Sequence, residues 1–405
     1  MLNKKSDFPI FNNHINGKNL VYLDTGASAQ KPQCVIDCLT GQLSHKYANI
    51  HRGLYKLSQD ITQSYEQARS TLSTFIGASS EKELIFTRNT TESINLIASS
   101  WGRSNLKKGD EIILSEMEHH ANIVPWYEIA REKGAVIKVI PVTDEGELDY
   151  DAYESLLSTR TKIVSVTHTS NALGTINNIN KIKELINKIN PEIVLCVDGS
   201  QAVVHSLINI QELGCDFYVF TGHKLYGPNG IGVLWGKEEL LNAMPPYQGG
   251  GDMIVDVSFD NITYQNAPAR FEAGTPAITE AIALAEAAKY LNDIGMDKIE
   301  QHEKELFNYV MPKLQNIDGL RFYGTSTNKA PIISFAADWA HHTDIGMILD
   351  QCGVAVRSGH HCCMPLMKRY GIEGTIRASI GLYNTKEDLD IFVEALNKAK
   401  RMLAA

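Results

Sequence analysis

Two stretches decide the fold class: Ile193-Val194-Leu195-Cys196-Val197-Asp198, and further along Phe217-Tyr218-Val219-Phe220-Thr221-Gly222-His223-Lys224. Each is an apolar run that stops on polar groups. A run that is apolar throughout, rather than alternating, fits a strand covered on both faces. The polar groups that follow it then sit at the carboxyl edge, where open α/β sheets bind their ligands. Working outward, similar runs occupy Glu111–Ser115, Val136–Ile140, 163–168 and 231–235. Amphipathic segments at 123–133 and Ile179–Ile189 separate some of them, closed by Gly134 and by Asn190-Pro191. Strand, helix and strand at this rhythm predict an α/β domain with a mostly parallel sheet.

The texture changes near Thr275. Pro276 opens a helical pattern over 277–294, ended by Gly295, and a second follows over 297–314. Short strands at 319–323 and 332–335 come next, then another helix and a loop rich in Gly, His and Cys. A last helix starts at Thr385, where Thr-Lys-Glu-Asp reads as a cap with acid in the first turn. The expected division is a large domain over 21–289, a smaller α+β domain over 290–405, and residues 1–20 packing on the small domain.

Composition narrows the function. The chain has 405 residues, Lys+Arg 38 against Asp+Glu 47 and a formal net charge of −9. That balance argues against binding nucleic acid through bulk positive charge. Seven cysteines without repeated spacing do not make a secreted disulfide framework. Polar Asn and His residues follow the first ten positions where a signal peptide would have its apolar core. No apolar stretch approaches the ~20 residues that span a bilayer. The expectation is a cytoplasmic chain of enzyme size with no membrane or nucleic-acid partner.

Nucleotide motifs fail on inspection. Gly227-Pro228-Asn229-Gly230-Ile231-Gly232 lacks dinucleotide-fingerprint spacing and leads into a strand, and Gly236-Lys237 is followed by Glu238 rather than Ser or Thr. Three other features point elsewhere. Thr87-Arg88-Asn89-Thr90-Thr91-Glu92-Ser93 opens a helix with hydroxyl groups, which suits either a plain N-cap or an anion seat. Asp198 ends a buried strand, where a carboxylate must be paired, capped or functional. Lys224, past the next strand, is either a solvated loop charge or an amine able to form a Schiff base. A carboxylate for a pyridinium nitrogen, a lysine for an aldehyde and a hydroxyl-rich helix start for a phosphate are together what pyridoxal phosphate requires. The loop Val356-Arg357-Ser358-Gly359-His360-His361-Cys362-Cys363-Met364-Pro365 has three readings. A zinc site lacks a Cys-x-x-Cys pair, and adjacent ligands suit one tetrahedral ion badly. Buried structural cysteines are the ordinary alternative. We prefer a nucleophilic cysteine on a loop, because Gly359 and Pro365 mark a turn and Arg357 with two histidines favours a thiolate.

These residues resemble the group II (SufS-type) cysteine desulfurases of iron–sulfur cluster assembly, within the class V aminotransferase family. The resemblance runs from Val21 to the last helix. It rests on Tyr22-Leu23-Asp24, His51-Arg52-Gly53, Thr90-Thr91-Glu92, Met117-Glu118-His119-His120-Ala121-Asn122, Val197-Asp198-Gly199-Ser200-Gln201, Gly222-His223-Lys224-Leu225-Tyr226-Gly227-Pro228, Arg270-Phe271-Glu272-Ala273-Gly274-Thr275-Pro276 and Arg357-Ser358-Gly359-His360-His361-Cys362. It implies a pyridoxal-phosphate fold of type I. Lys224 matches the Schiff-base lysine, Asp198 the pyridinium partner and His119 the imidazole that stacks on the ring and handles protons. Asn171 and Gln201 match residues near the phenolic oxygen; Thr91, Thr221 and His223 match phosphate ligands. Thr275 matches a ligand to the phosphate of a partner subunit. Arg377 matches the clamp on the substrate carboxylate, with Arg357 nearby, and Cys362 the sulfur-accepting nucleophile.

One departure stands out: Cys363, where the family usually has no second cysteine. Spectator, sulfur relay and resolving thiol all stay open for it. The implied activity is conversion of L-cysteine to L-alanine, with sulfur held as a persulfide on Cys362 and passed to an acceptor protein of the SufE or SufU type. A homodimer is implied through Thr275 and His51-Arg52. Selenocysteine lyase is the alternative activity, and a non-catalytic scaffold is disfavoured because Lys224, Asp198 and Cys362 are all present.

Overall fold

A computed structural model describes residues 2–404. Met1 and Ala405, the outer ends of the expected 1–20 and 290–405 segments, lie outside the described residues. A seven-stranded sheet organises the larger layer. Its order is Leu84–Thr87, Gly232–Gly236, Phe217–Thr221, Val194–Asp198, Thr161–Thr167, Glu111–Ser115 and Val136–Ile140. Pairing is parallel from Val136–Ile140 across to Phe217–Thr221.

The run expected at 231–235 is the strand Gly232–Gly236, antiparallel to both its neighbours. The reason lies in the connection. Residues 222–231 are too few for the crossover that a parallel partner needs, so the chain turns back on itself. The first strand, Leu84–Thr87, is too short to show a pattern in the sequence, yet it is buried throughout. Val136–Ile140 is the outermost strand; Val136 and Val139 face solvent, so its apolar run is not covered on both faces.

This topology places one edge under the site. Thr87, Thr167, Asp198 and Thr221 all end their strands on the same side. The register confirms it, because Gly232 lies opposite both Thr87 and Thr221. One apolar cluster fills one face of the sheet, with Val164, Val166, Leu195, Val197, Tyr218, Phe220 and Val233. A second, with Ile112, Leu114, Ile163, Cys196, Phe217 and Val219, fills the other. The alternation of these residues along each strand is the pleat.

The helix Ile278–Ile294 packs on Lys56–Phe75 and Gln33–Gly41, and its alanines permit the close approach. Beyond it lies a four-stranded antiparallel sheet in the order Leu320–Tyr323, Ile332–Ala337, Thr375–Ser379, Arg357–Gly359. Helices Met296–Gln315, His342–Gln351 and Lys386–Leu403 enclose a third core against it. The last helix carries the expected cap: Thr385 and Asp388 form a reciprocal capping box. The segment near the N-terminus reaches both parts of the molecule. Leu2 N–H donates to His302, Lys5 pairs with Asp388, and Phe8 packs against Tyr383 and Tyr226. Val21–Tyr22 then pairs in parallel with Val354–Ala355. Among the described residues no helix is long and apolar enough to cross a membrane.

Candidate active site

A cavity of about 240 Å³ opens over the carboxyl edge of the large sheet. Its lining includes Thr91, His119, Asn171, Asp198, Gln201, Thr221, His223, Lys224, Arg357, Cys362 and Arg377. The structure thus brings together every candidate site residue named from the sequence except Thr275. That residue lines a neighbouring cleft with Arg88, Glu92 and Tyr247.

Asp198 is held by its own turn, its Oδ1 accepting the N–H of Ser200 at 3.0 Å. Gly199 between them admits no side chain, since a Cβ there would lie 2.1 Å from the Tyr218 ring. Gln201 is fixed by donating from Nε2 to the carbonyl of Gly26 at 2.6 Å. Burial lowers the pKa of the Lys224 amine, opposed by Asp198 and reinforced by Arg377. The free-base form of an amine is the one able to attack a carbonyl or accept a proton. Burial, then the charge of Lys224, brings His119 down to about 4, so its imidazole is neutral near pH 7. Its Nδ1 accepts the N–H of Ala121 at 3.0 Å, which fixes the ring.

The two arginines are directly opposed across the antiparallel pair Arg357–Gly359 and Thr375–Ser379. Like charges in that register repel. Asp24 relieves the repulsion: Arg357 donates to it from Nε at 3.1 Å and Nη2 at 2.8 Å, and Arg377 from Nη2 at 3.2 Å. Arg377 also donates from Nη1 to the carbonyl of Asn171 at 2.8 Å, while its buried Nε has no partner among the described residues. No sequence pattern assigns Asp24 a role. The available signal was its place directly after the apolar run Val21–Leu23, as Asp198 follows its own.

Cys362 is exposed and follows the strand Arg357–Gly359. It and His361 both have positive φ, +57° and +51°. Left-handed backbone costs a non-glycine residue about 1–2 kcal/mol, so this turn is held by its surroundings. Cys363 points the other way and is fully buried; burial pushes its thiol up to about 12. Its Sγ donates to Asn171 Oδ1 at 3.1 Å, and Asn171 Nδ2 donates to the carbonyl of His361 at 2.8 Å. A buried, protonated thiol is a poor nucleophile, so the nearby reactive candidate is Cys362.

The fit to pyridoxal phosphate can be judged from these groups. Thr221 Oγ1 is buried at the end of its strand with no hydrogen-bond partner among the described residues. An unpaired buried hydroxyl is costly, and a phosphate oxygen would satisfy it. Beside it the helix Thr90–Ile97 begins, with Asn89 as cap and Thr90 bonded to Ser200 at 2.7 Å. A carboxylate, a lysine with a lowered pKa and this hydroxyl set stand on the same cavity, as a ring nitrogen, an aldehyde and a phosphate would require.

Fold and site together define an enzyme of the kind that binds a phosphorylated pyridine aldehyde over the edge of a mostly parallel sheet. The chain belongs to the class-V aminotransferase family, whose sequence model matches residues 21–392. Among similar proteins, a probable cysteine desulfurase of Mycobacterium leprae is 46% identical over 97% of this chain, which spans 64% of that relative's length. A cysteine desulfurase of Dickeya dadantii is 46% identical, with 98% of this chain and 96% of the relative covered. The crystal structure of the Escherichia coli cysteine desulfurase CsdA superposes with a TM-score of 0.91 at 37% identity, covering 98% of each chain.

Proposed function

We propose that this chain is a pyridoxal-phosphate-dependent cysteine desulfurase that converts L-cysteine to L-alanine and holds the sulfur as a persulfide on Cys362. The observation that carries this reading is the convergence of Lys224, Asp198, Arg377 and an exposed Cys362 on one cavity. When bound, pyridoxal phosphate supplies a covalent hold on the substrate amine and an electron sink for the bond lost at Cα. Everything else falls to this chain. Arg377 offers its unpaired Nε to the substrate carboxylate, with Arg357 and Asp24 keeping the guanidinium in place. Lys224 takes the Cα proton in its free-base form. Asp198 would hold a proton at the ring nitrogen of bound pyridoxal phosphate, Thr221, His223 and Thr91 would hold its phosphate, and Asn171 and Gln201 would stand near its phenolic oxygen. His119, neutral near pH 7, accepts the substrate thiol proton. The Cys362 thiolate attacks the substrate sulfur: the S–S bond forms, the Cβ–S bond breaks, and the three-carbon product is protonated to alanine. Peptide mapping by mass spectrometry after brief exposure to L-cysteine, with alkylation and no reductant, tests this. Sulfur added to Cys362 supports it; a persulfide on another cysteine, or none with cofactor bound, overturns it.

The working unit in this proposal is a homodimer in the cytoplasm, with a large domain over 21–289 and a small one over 290–405. A SufE- or SufU-type protein takes the sulfur from Cys362. Two features support the dimer. The hairpin of Ile254–Val257 and Ile262–Tyr264 carries Val255, Val257 and a completely exposed Phe259; such apolar exposure marks an interaction surface. Thr275 lies outside its own chain's cavity, as a ligand for a neighbour's phosphate would. Phe259→Asp is expected to shift the mass measured by light scattering from dimer towards monomer.

A further inference from the structure

The turn that presents Cys362 is held by two residues that take no part in the chemistry above. His361 and Cys362 are consecutive, non-glycine and left-handed, at φ +51° and +57°. Such a turn persists only where neighbouring groups over-determine it. Two of those groups are the second histidine of the 119–120 pair and the first histidine of the 360–361 pair. The N–H of His120 donates to the carbonyl of Cys362 at 2.8 Å. The N–H of Met364 donates to Nε2 of His120 at 3.1 Å. The N–H of Cys362 donates to Nδ1 of His360 at 3.1 Å. The two imidazoles stand 5.6 Å apart, tilted by 35°. The N–H and C=O of Cys362 itself, and the N–H two residues on, therefore all end on these two histidines. Neither histidine lines the cavity. In both contacts the ring nitrogen is the acceptor and the backbone amide the donor.

We propose that His120 and His360 are positioning residues that clamp the Cys362 turn in its left-handed form and so set the sulfur acceptor over the cavity. The proposal rests on Cys362 being that acceptor. A nucleophile must be held near its target to react quickly, and a small displacement costs rate heavily. Substrate binding through Arg377 lies on a different strand, so loss of the clamp changes the rate of sulfur transfer and leaves the affinity for L-cysteine alone.

The test compares variants that keep a hydrogen-bond acceptor with variants that lose it, all as holoenzyme. His360→Asn puts an oxygen where Nδ1 was, and His120→Gln one near Nε2; His360→Leu and His120→Leu provide none. His360 is exposed, so its leucine variant is not expected to disturb folding. Hydrogen exchange followed by mass spectrometry over residues 358–367 reads the clamp directly. Amide exchange there is expected to be about tenfold faster in the leucine variants and close to wild type in the amide variants. Single-turnover persulfide formation is expected to fall about tenfold or more in the leucine variants, with KM unchanged and rescue by Asn or Gln. Wild-type exchange in His360→Leu, or identical behaviour of leucine and amide variants, overturns the clamp. If the wild-type enzyme forms no persulfide on Cys362, the functional reading fails, and the exchange comparison still decides whether these histidines hold the turn.

Discussion

Replacing Arg377 by lysine keeps the charge and removes the fork. In the structure the guanidinium divides three ways: Nη1 to the carbonyl of Asn171, Nη2 to Asp24, and a buried Nε with no partner among the described residues. A lysine ammonium can reach one or two of these positions but cannot hold both protein contacts and meet a carboxylate in a fixed plane. The loss is one charge-assisted hydrogen bond to the substrate, about 1.5–3 kcal/mol. At about 1.4 kcal/mol per decade this raises KM for L-cysteine by about 10- to 150-fold. The carboxylate is remote from the breaking Cβ–S bond, so ground and transition states lose it equally, and kcat should change by less than about threefold. Initial rates of alanine formation against L-cysteine concentration measure both terms, and absorbance titration checks that cofactor binding survives. Arg357→Lys is the control: its guanidinium is half exposed and spent on Asp24, so KM should move by less than about threefold. An unchanged KM in Arg377→Lys, or a collapsed kcat at constant KM, would refute the assignment.

Iodoacetamide should label Cys362 in the native enzyme and leave Cys363 untouched until unfolding, because the latter is buried with its thiol pushed up to about 12; Cys363→Ala should still carry the persulfide on Cys362, and its loss would make Cys363 an obligatory relay. Glu272→Ala removes the carboxylate that buried Arg69 meets at 2.7 and 2.9 Å, leaving it Glu66 and the Leu84 carbonyl and unpairing the Phe86 N–H, and should cost about 1–3 kcal/mol, read as a lowered urea midpoint. A shift below about 1 kcal/mol would show that water reaches the arginine. Burial holds His168 at about 4, below its ordinary 6.5, so the unfolded chain gains a proton first as the pH falls. The stability it contributes is complete above pH 6.5 and is lost on the way down to pH 4, by about 1.4 kcal/mol per pH unit. His168→Phe should flatten the fall in urea midpoint between pH 7 and pH 5, and an unaltered slope would contradict this.

How much of this was legible in the sequence depended on whether a residue's role is local. Asp198 and Lys224 could be read because a covered strand announces itself as an apolar run, and the residue at its end must lie at the sheet's edge. Thr385 could be read because a cap is settled within four residues. The reversal of Gly232–Gly236 was hidden, since its composition is that of its parallel neighbours and only the length of the connection distinguishes it. Leu84–Thr87 was hidden by its shortness.

Within the site the same division applies, and it explains why Asp24 and Cys363 resisted interpretation. The need for Asp24 arises from Arg357 and Arg377 facing each other, and no local pattern reports that two distant arginines share a register position. Cys363 differs from Cys362 by one step along the chain. In a regular strand that step turns a side chain to the opposite face, but here both histidine-flanked residues before it are left-handed and the direction cannot be inferred from spacing. The turn puts one sulfur in solvent beside the cavity and the other against Asn171, whose amide also holds the His361 carbonyl. The second cysteine therefore supports the turn from inside while the histidines brace it from outside. The turn is thus held by short hydrogen-bonded contacts rather than by a packed core, and contacts of that kind can open without unfolding the domain.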